Sequence, residues 1–272
     1  MENKSTTYIL YCYTERPAAK DNLEYFLNKG GYEDDPKLSY TFIINGQDLS
    51  VKIPDNSNVK ILKRPNTGLD FGAWSYALKE LKIILGSEDR IILLNDTIRG
   101  PFFPWFNKSK WYEIFGNMIT DKVKLAGLTI NCHLKMNGVD YSEIEKYWKH
   151  NTLPHIQSML LVFDKIGLEI AQANGILVGK EYTDKWQIVV QNEIKLSLVI
   201  LLMGYNINVI AKKYNDKNYL DKNNYNLNSN YCNGDPWYNG SYFGGNLHPY
   251  ETIFFKTNRD VNSETLKILS EY

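Results

Sequence analysis

Two short stretches carry the polar groups best placed for chemistry. The first is Asn66-Thr67-Gly68-Leu69-Asp70-Phe71-Gly72-Ala73, preceded by Arg64-Pro65, and the second is Leu93-Leu94-Asn95-Asp96-Thr97, followed by Arg99-Gly100-Pro101. In the first, Gly68 permits a tight turn after a strand, and Gly72 with Ala73 lets the start of a helix approach a ligand or the sheet closely. The free N–H groups of that helix start favour an anion. Asp70 either caps the helix in the ordinary way or offers its carboxylate to a ligand. In the second, an apolar strand delivers Asp96 at its end, where a carboxylate can face a hard cation such as Mg2+ that also bridges phosphates. An Asx turn that merely ends the strand is the plainer alternative. Arg99 can pair with Asp96 or with a phosphate.

The elements around these groups read as alternating strands and helices. Apolar runs at 8–13, 40–44, 59–62 and 91–94 predict strands, the last buried on both faces, and 123–130 predicts another. Helical spacing predicts helices at 18–28, at 70–85 with Asp70 as N-cap and Gly86 as stop, and at 111–119. This alternation implies an α/β fold with a mostly parallel central sheet flanked by helices. Open sheets of this kind place ligands at the C-terminal ends of their strands. The second half predicts a strand at 156–163, a helix at 166–173, a long helix at 186–203, a short strand at 206–211 and a helical tail after Ser263. The Asn-, Tyr- and Gly-rich segment 212–246 predicts a long flexible loop able to act as a flap. The whole reads as one domain, with residues 1–132 and 133–272 as its two halves.

Composition excludes several classes. Acidic and basic residues balance at 31 each among 272, so binding to nucleic acid through bulk charge is not expected. Cys12, Cys132 and Cys232 stand far apart with no Cys-x-x-Cys pair, which suits a reducing compartment and argues against a zinc ribbon. Residues 1–7 lack the apolar core of a signal peptide, and the longest apolar run, 198–203, cannot span a bilayer; a soluble, cytoplasmic protein is expected. Abundant Asn, Lys and Ile read as an AT-rich coding genome, as in some large DNA viruses, protists and low-GC bacteria. The 20 tyrosines suit either core packing or stacking on sugar faces. No Walker A loop, Gly-x-Ser-x-Gly elbow or dinucleotide-binding glycine spacing occurs.

Taken together, Asn45-Gly46, Arg64…Asn66-x-Gly68 and Asn95-Asp96-Thr97 resemble the nucleotide-sugar half of a GT-A-fold glycosyltransferase. The longer words Arg64-Pro65-Asn66-x-Gly68-x-Asp70-x-Gly72-Ala73-Trp74, Asn95-Asp96-x-x-Arg99-Gly100-Pro101-Phe102 and His248-Pro249-x-Glu251-x-x-Phe254-x-Lys256 resemble a polysaccharide-type subgroup distantly similar to rhamnan-synthesis proteins. The resemblance covers nearly the whole chain. It departs from the pattern where Asn45 replaces an acidic residue at the second strand's end, and where Asp96 alone remains of an Asp-x-Asp metal motif.

The resemblance implies transfer of a sugar from a UDP, GDP or dTDP donor to a saccharide or glycan acceptor. It implies donor contacts from Tyr13, Asn45, Arg64, Asn66, Gly68, Asp70, Asn95, Asp96 and Arg99, and acceptor contacts from His155, Gln157 and Ser158. An inverting member places a carboxylate base near a second-half helix; Gln191-Asn192-Glu193-Ile194 matches that segment and nominates Glu193, with Asp184 as a rival. A Mn2+ or Mg2+ ion would rest on Asp96 and His248, and Lys256 with Arg259 could instead neutralise the leaving diphosphate. A non-catalytic carbohydrate-binding protein that keeps the fold is the alternative, motivated by the single Asp96. A nucleotidyltransferase would need more acidic ligands than the sequence offers.

Overall fold

The computed structural model describes residues 5–180, 182, 184–259 and 261–271. In chain order the strands and helices are β1 (Thr7–Tyr13), α1 (Pro17–Asn28), β2 (Leu38–Asn45), β3 (Val59–Arg64), α2 (Leu69–Glu80), β4 (Arg90–Asn95), β5 (Ile98–Arg99) and α3 (Trp111–Asn117). There follow β6 (Val123–Gly127), β7 (Ile130–Leu134), α4 (Ser142–Glu145), β8 (Thr152–Ile156), β9 (Leu160–Phe163) and α5 (Lys165–Ala173). The chain ends with α6 (Lys185–Ile188), α7 (Lys195–Leu202), β10 (Asn206–Val209), α8 (Pro249–Thr252), β11 (Phe255–Lys256) and α9 (Ser263–Glu271).

Seven strands form one sheet in the order β10-β6-β9-β4-β1-β2-β3. All pairings in it are parallel except those of β9, which runs antiparallel between β4 and β6. The expected mostly parallel sheet flanked by helices is therefore borne out. Ile91, Ile92, Leu93 and Leu94 are fully buried, as a central strand covered on both faces requires. Two small antiparallel pairs, β7 with β8 and β5 with β11, sit beside the main sheet.

Several boundaries differ from the sequence expectation. The run 156–163 holds only the end of β8, a turn and β9, and the run 123–130 is divided between β6 and β7. Helix α2 ends at Glu80 rather than near Gly86, because Lys82 takes the left-handed conformation (φ 49°) and Ile83 N–H bonds back to Leu78 O. The long second-half helix is α6 and α7 joined through a wide turn of π geometry, Val189–Ile194. The segment 212–246 is irregular, as expected, but it is anchored: Tyr214, Tyr219 and Trp237 are fully buried, and Trp237 Nε1 donates to Thr129 Oγ1 at 2.9 Å. Among the described residues, no helix is long and apolar enough to cross a membrane.

Candidate active site

A cavity of about 440 Å³ opens where elements of both halves converge. Asp70 and Phe71 enter it from the start of α2, Asn95 and Thr97 from the end of β4. Asn131 and His133 of β7 and His155 of β8 face it together, since strand periodicity puts residues 131 and 133 on one face and the register pairs Asn131 with His155. Gln157 and Ser158 follow from the turn after β8, Glu193 from the π turn, Asp235 and Tyr238 from the long loop, and Lys256 and Arg259 from β11 and the residues after it.

The two stretches singled out in the sequence meet here. Asn95 Nδ2 donates to Asp70 Oδ2 at 2.6 Å, a short charge-assisted bond that joins the end of β4 to the first turn of α2. Asp70 is thus not an N-cap. The N-cap position is Gly68, at φ 66°, which a left-handed turn requires. Gly72 also has a structural reason: a Cβ there would lie 2.2 Å from Thr67 O. Desolvation in the cleft pushes the Asp70 carboxyl above its ordinary range, with the Asn95 bond pulling the other way.

Glu193 is held from two sides. Its Oε2 accepts from Ser158 N–H at 2.8 Å, and its Oε1 lies 3.5 Å from His155 Nε2. His155 Nδ1 is 2.8 Å from Leu153 O, which can only accept, so Nδ1 carries a proton, and only the doubly protonated ring can also donate from Nε2 to the carboxylate. Burial alone would push Glu193 upward; the bonds and charge from His155 and the Ser158 bonds outweigh it and hold the carboxyl down at about 2. Glu193 is therefore an ionised acceptor with one edge in the cleft. The π turn that carries it is a geometry often found at functional sites. Neighbouring His133 is held neutral: burial and the proximity of His155 push it down to about 4.

Other expected residues lie elsewhere. Asp96 is turned away from the cavity. The register of β1 with β4 sets Cys12 beside Asn95, so the next residues of each strand are adjacent, and alternation sends Asp96 to the side opposite Asn95. There its carboxylate accepts from Thr14 N–H at 2.7 Å and pairs with Arg16. Arg99 is likewise structural, donating from Nε to Asn22 Oδ1 at 3.0 Å and from Nη1 to Ser270 Oγ at 3.1 Å. Tyr13 donates to Glu15, Asn45 accepts from Arg64 Nη1 at 2.8 Å, and Arg64 also ties down the Thr67 carbonyl. Arg64 and Asn45 brace the turn before α2, and neither they nor Tyr13, Asn66 and Gly68 line the cavity. Asp184 is exposed and caps α6 through Gln187 N–H at 2.9 Å, outside the cavity lining.

The cation site expected on Asp96 and His248 does not fit a metal. Both oxygens of Asp96 are taken by Thr14 and Arg16, and His248 opens α8, its Nδ1 accepting from Tyr250 N–H at 3.2 Å. Among the described residues no group of three or more His, Cys, Asp or Glu could hold a metal ion.

Sequence reasoning missed Asn131, Asp235 and Tyr238. Asn131 Oδ1 is buried without a hydrogen-bond partner, an acceptor aimed at nothing the protein supplies. Its spacing of two from His133 on one apolar strand was the available signal. Asp235 bonds Gln157 Nε2 at 3.2 Å and Trp237 N–H at 3.0 Å; nothing in its Asn- and Gly-rich surroundings marks it.

Comparison with known proteins gives three findings. The curated relatives matched are Virulence protein VirA sequences of Vibrio anguillarum, 30% identical over 135 residues, covering 48% of this chain and 35% of the relative. The chain thus spans about a third of the length of the curated relatives it matches. A solved structure, mannosyltransferase PcManGT from Pyrobaculum calidifontis in complex with GDP-Man and Mn2+, is similar over 75% of this chain and 54% of that one, at 13% identity and a TM-score of 0.42. Residues 45–232 match the family Rhamnan synthesis protein F, and the chain belongs to that family.

Proposed function

We propose, taking membership of the rhamnan synthesis protein F family as premise, that the chain is a glycosyltransferase. It moves a sugar from a nucleotide-activated donor to a hydroxyl of a saccharide or glycan, with inversion at the anomeric carbon. The observation that carries this reading is the Glu193 carboxylate, ionised and held by Ser158 and His155 at the edge of the cavity that Asp70 and Asn95 enter from the opposite half.

The chemistry follows from that arrangement. The donor lies along the ends of β4 and α2, where the Asp70 carboxylate can accept from donor hydroxyls. The acceptor hydroxyl approaches from the Asn131–Gln157 side and gives its proton to Glu193 as its oxygen attacks the anomeric carbon. The bond from that carbon to the diphosphate breaks, and its electron pair leaves with the nucleoside diphosphate. The buried, unpartnered Asn131 Oδ1 suits a sugar hydroxyl, which supplies the missing donor. Because the proton acceptor and the departing group lie on opposite faces of the sugar, one displacement inverts the centre.

The test is release of UDP, GDP or dTDP from a panel of nucleotide sugars, with oligosaccharide acceptors present. Release that depends on both one donor and one acceptor is the expected result. Saccharide binding without release from any donor would replace this reading with that of a non-catalytic sugar-binding protein.

A further inference from the structure

We propose that Lys256 and Arg259 form the anion site for the donor's diphosphate and do so in place of a divalent cation. The inference rests on the glycosyltransferase reading and specifies how its leaving group is stabilised.

Lys256 reaches the cavity from β11, the two-residue strand that pairs with β5. Its ammonium is 3.7 Å from Met159 Sδ, a weak acceptor, and among the described residues no carboxylate comes within 4.0 Å of it. The surroundings are nevertheless acidic at longer range, with Asp235, Glu193 and Asp70 all acting on it. Desolvation, joined by the charge of Arg259, outweighs them and pushes its pKa down. A partly buried ammonium without a direct counter-ion is a costly arrangement unless an anion arrives.

Arg259 repeats the pattern by independent means. Its guanidinium lies 4.7 Å from the centre of the Tyr238 ring, which fixes its plane against the cavity wall. Its Nη2 is 3.9 Å from Asp235 Oδ2, too far for a hydrogen bond, and its Nη1 donates to Asn258 O at 3.2 Å. Its Nε is buried and, among the described residues, has no hydrogen-bond partner. Two cations, three residues apart, thus face one cavity with donors unmet.

A dianionic diphosphate satisfies both. Arginine offers fork geometry to phosphate oxygens, and lysine adds a point charge. When the bond to the anomeric carbon breaks, one further negative charge develops on the leaving oxygen. Fixed cations stabilise that charge without proton transfer. The position of Asp96 supports the same division of labour. The carboxylate that would have gripped a cation is paired with Arg16 on the other side of the strand.

The experiment is titration calorimetry of the full chain with UDP, GDP and dTDP, once in EDTA and once in Mn2+. One of the three should bind in EDTA about as tightly as in Mn2+. Lys256→Met and Arg259→Gln should each weaken that binding about tenfold or more, and Lys256→Arg should restore part of it. Lys256→Met should melt no lower than the parent, since it removes an unpaired desolvated charge; a merely structural lysine would lower the melting temperature. Binding seen only with Mn2+ overturns the cation-free assignment and leaves the donor reading standing. Parent-like binding by both Lys256→Met and Arg259→Gln in EDTA also overturns the assignment alone. If no nucleoside diphosphate binds under either condition, the donor reading itself fails.

Discussion

Replacing Glu193 with glutamine separates chemistry from binding. Glutamine keeps the shape and can still accept from Ser158 N–H through its amide oxygen, whereas it cannot take a proton. General-base contributions run to roughly 10²–10⁴ in rate, or about 3–5 kcal/mol in the barrier. Turnover should therefore fall by about that factor, while the affinity for nucleoside diphosphate stays within about threefold. The fold should weaken modestly. The carboxyl is held at about 2, against an ordinary 4.5. That difference corresponds to at most about 3 kcal/mol at neutral pH. For a chain of this size such a loss lowers the melting temperature by about 6 °C or less. The assay is coupled detection of released diphosphate, beside calorimetric binding and a melting curve on the same preparation. A Glu193→Gln enzyme that turns over within threefold of the parent refutes the assignment, and the proton then goes elsewhere. A variant that loses diphosphate binding in step with turnover would show that Glu193 holds the donor.

Further outcomes follow from the same geometry. Because the folded-state pKa of Glu193 is depressed, its stabilisation is fully present above about pH 4.5 and is lost as pH falls toward 2. Denaturant titrations should show the parent's advantage over Glu193→Gln shrinking as pH falls from about 4.5 toward 2. His155→Gln removes part of what depresses that carboxyl, so the acid limb of kcat/KM should move upward in pH; an unmoved limb would show that His155 does not act on Glu193. Asp70→Ala and Asn95→Ala should be strongly non-additive in donor affinity, with a coupling of about 1.5–3 kcal/mol for their 2.6 Å bond; additive losses would separate the two segments functionally. Asp96→Ala should leave any Mn2+ response of diphosphate binding unchanged, since its carboxylate is taken by Thr14 N–H and Arg16 away from the cavity; a Mn2+ response lost in the variant would show that Asp96 holds the cation.

Much of the fold was legible because burial writes itself as uninterrupted apolar runs. The uninterrupted apolar run 91–94 pointed to a strand covered on both faces, and the succession of such runs with helical spacing implied the parallel sheet. The two-residue pairing of β5 with β11 could not be read, since two residues have no periodicity. The end of α2 is not legible in the sequence because glycine usually takes the left-handed position, and here Lys82 does. At the site, Asp70, Asn95, Glu193 and the 155–158 segment all reach the cavity from the stretches expected to form it. Asp96 does not, for a reason of parity. A motif read along the chain ignores that adjacent strand residues point to opposite faces, and only the position of Arg16 and Thr14 reveals which face is which. Asn131 and Asp235 became visible only through tertiary facts, a buried oxygen without a partner and a loop folded back over the sheet.

The most direct check on the whole account is a crystal structure of the chain with its nucleotide-sugar donor bound. The account predicts phosphates against Lys256 and Arg259, and the sugar between the Asp70–Asn95 pair and Glu193, with its anomeric carbon open to that carboxylate. A donor seated on another face of the molecule, or with its sugar directed away from Glu193, would contradict it.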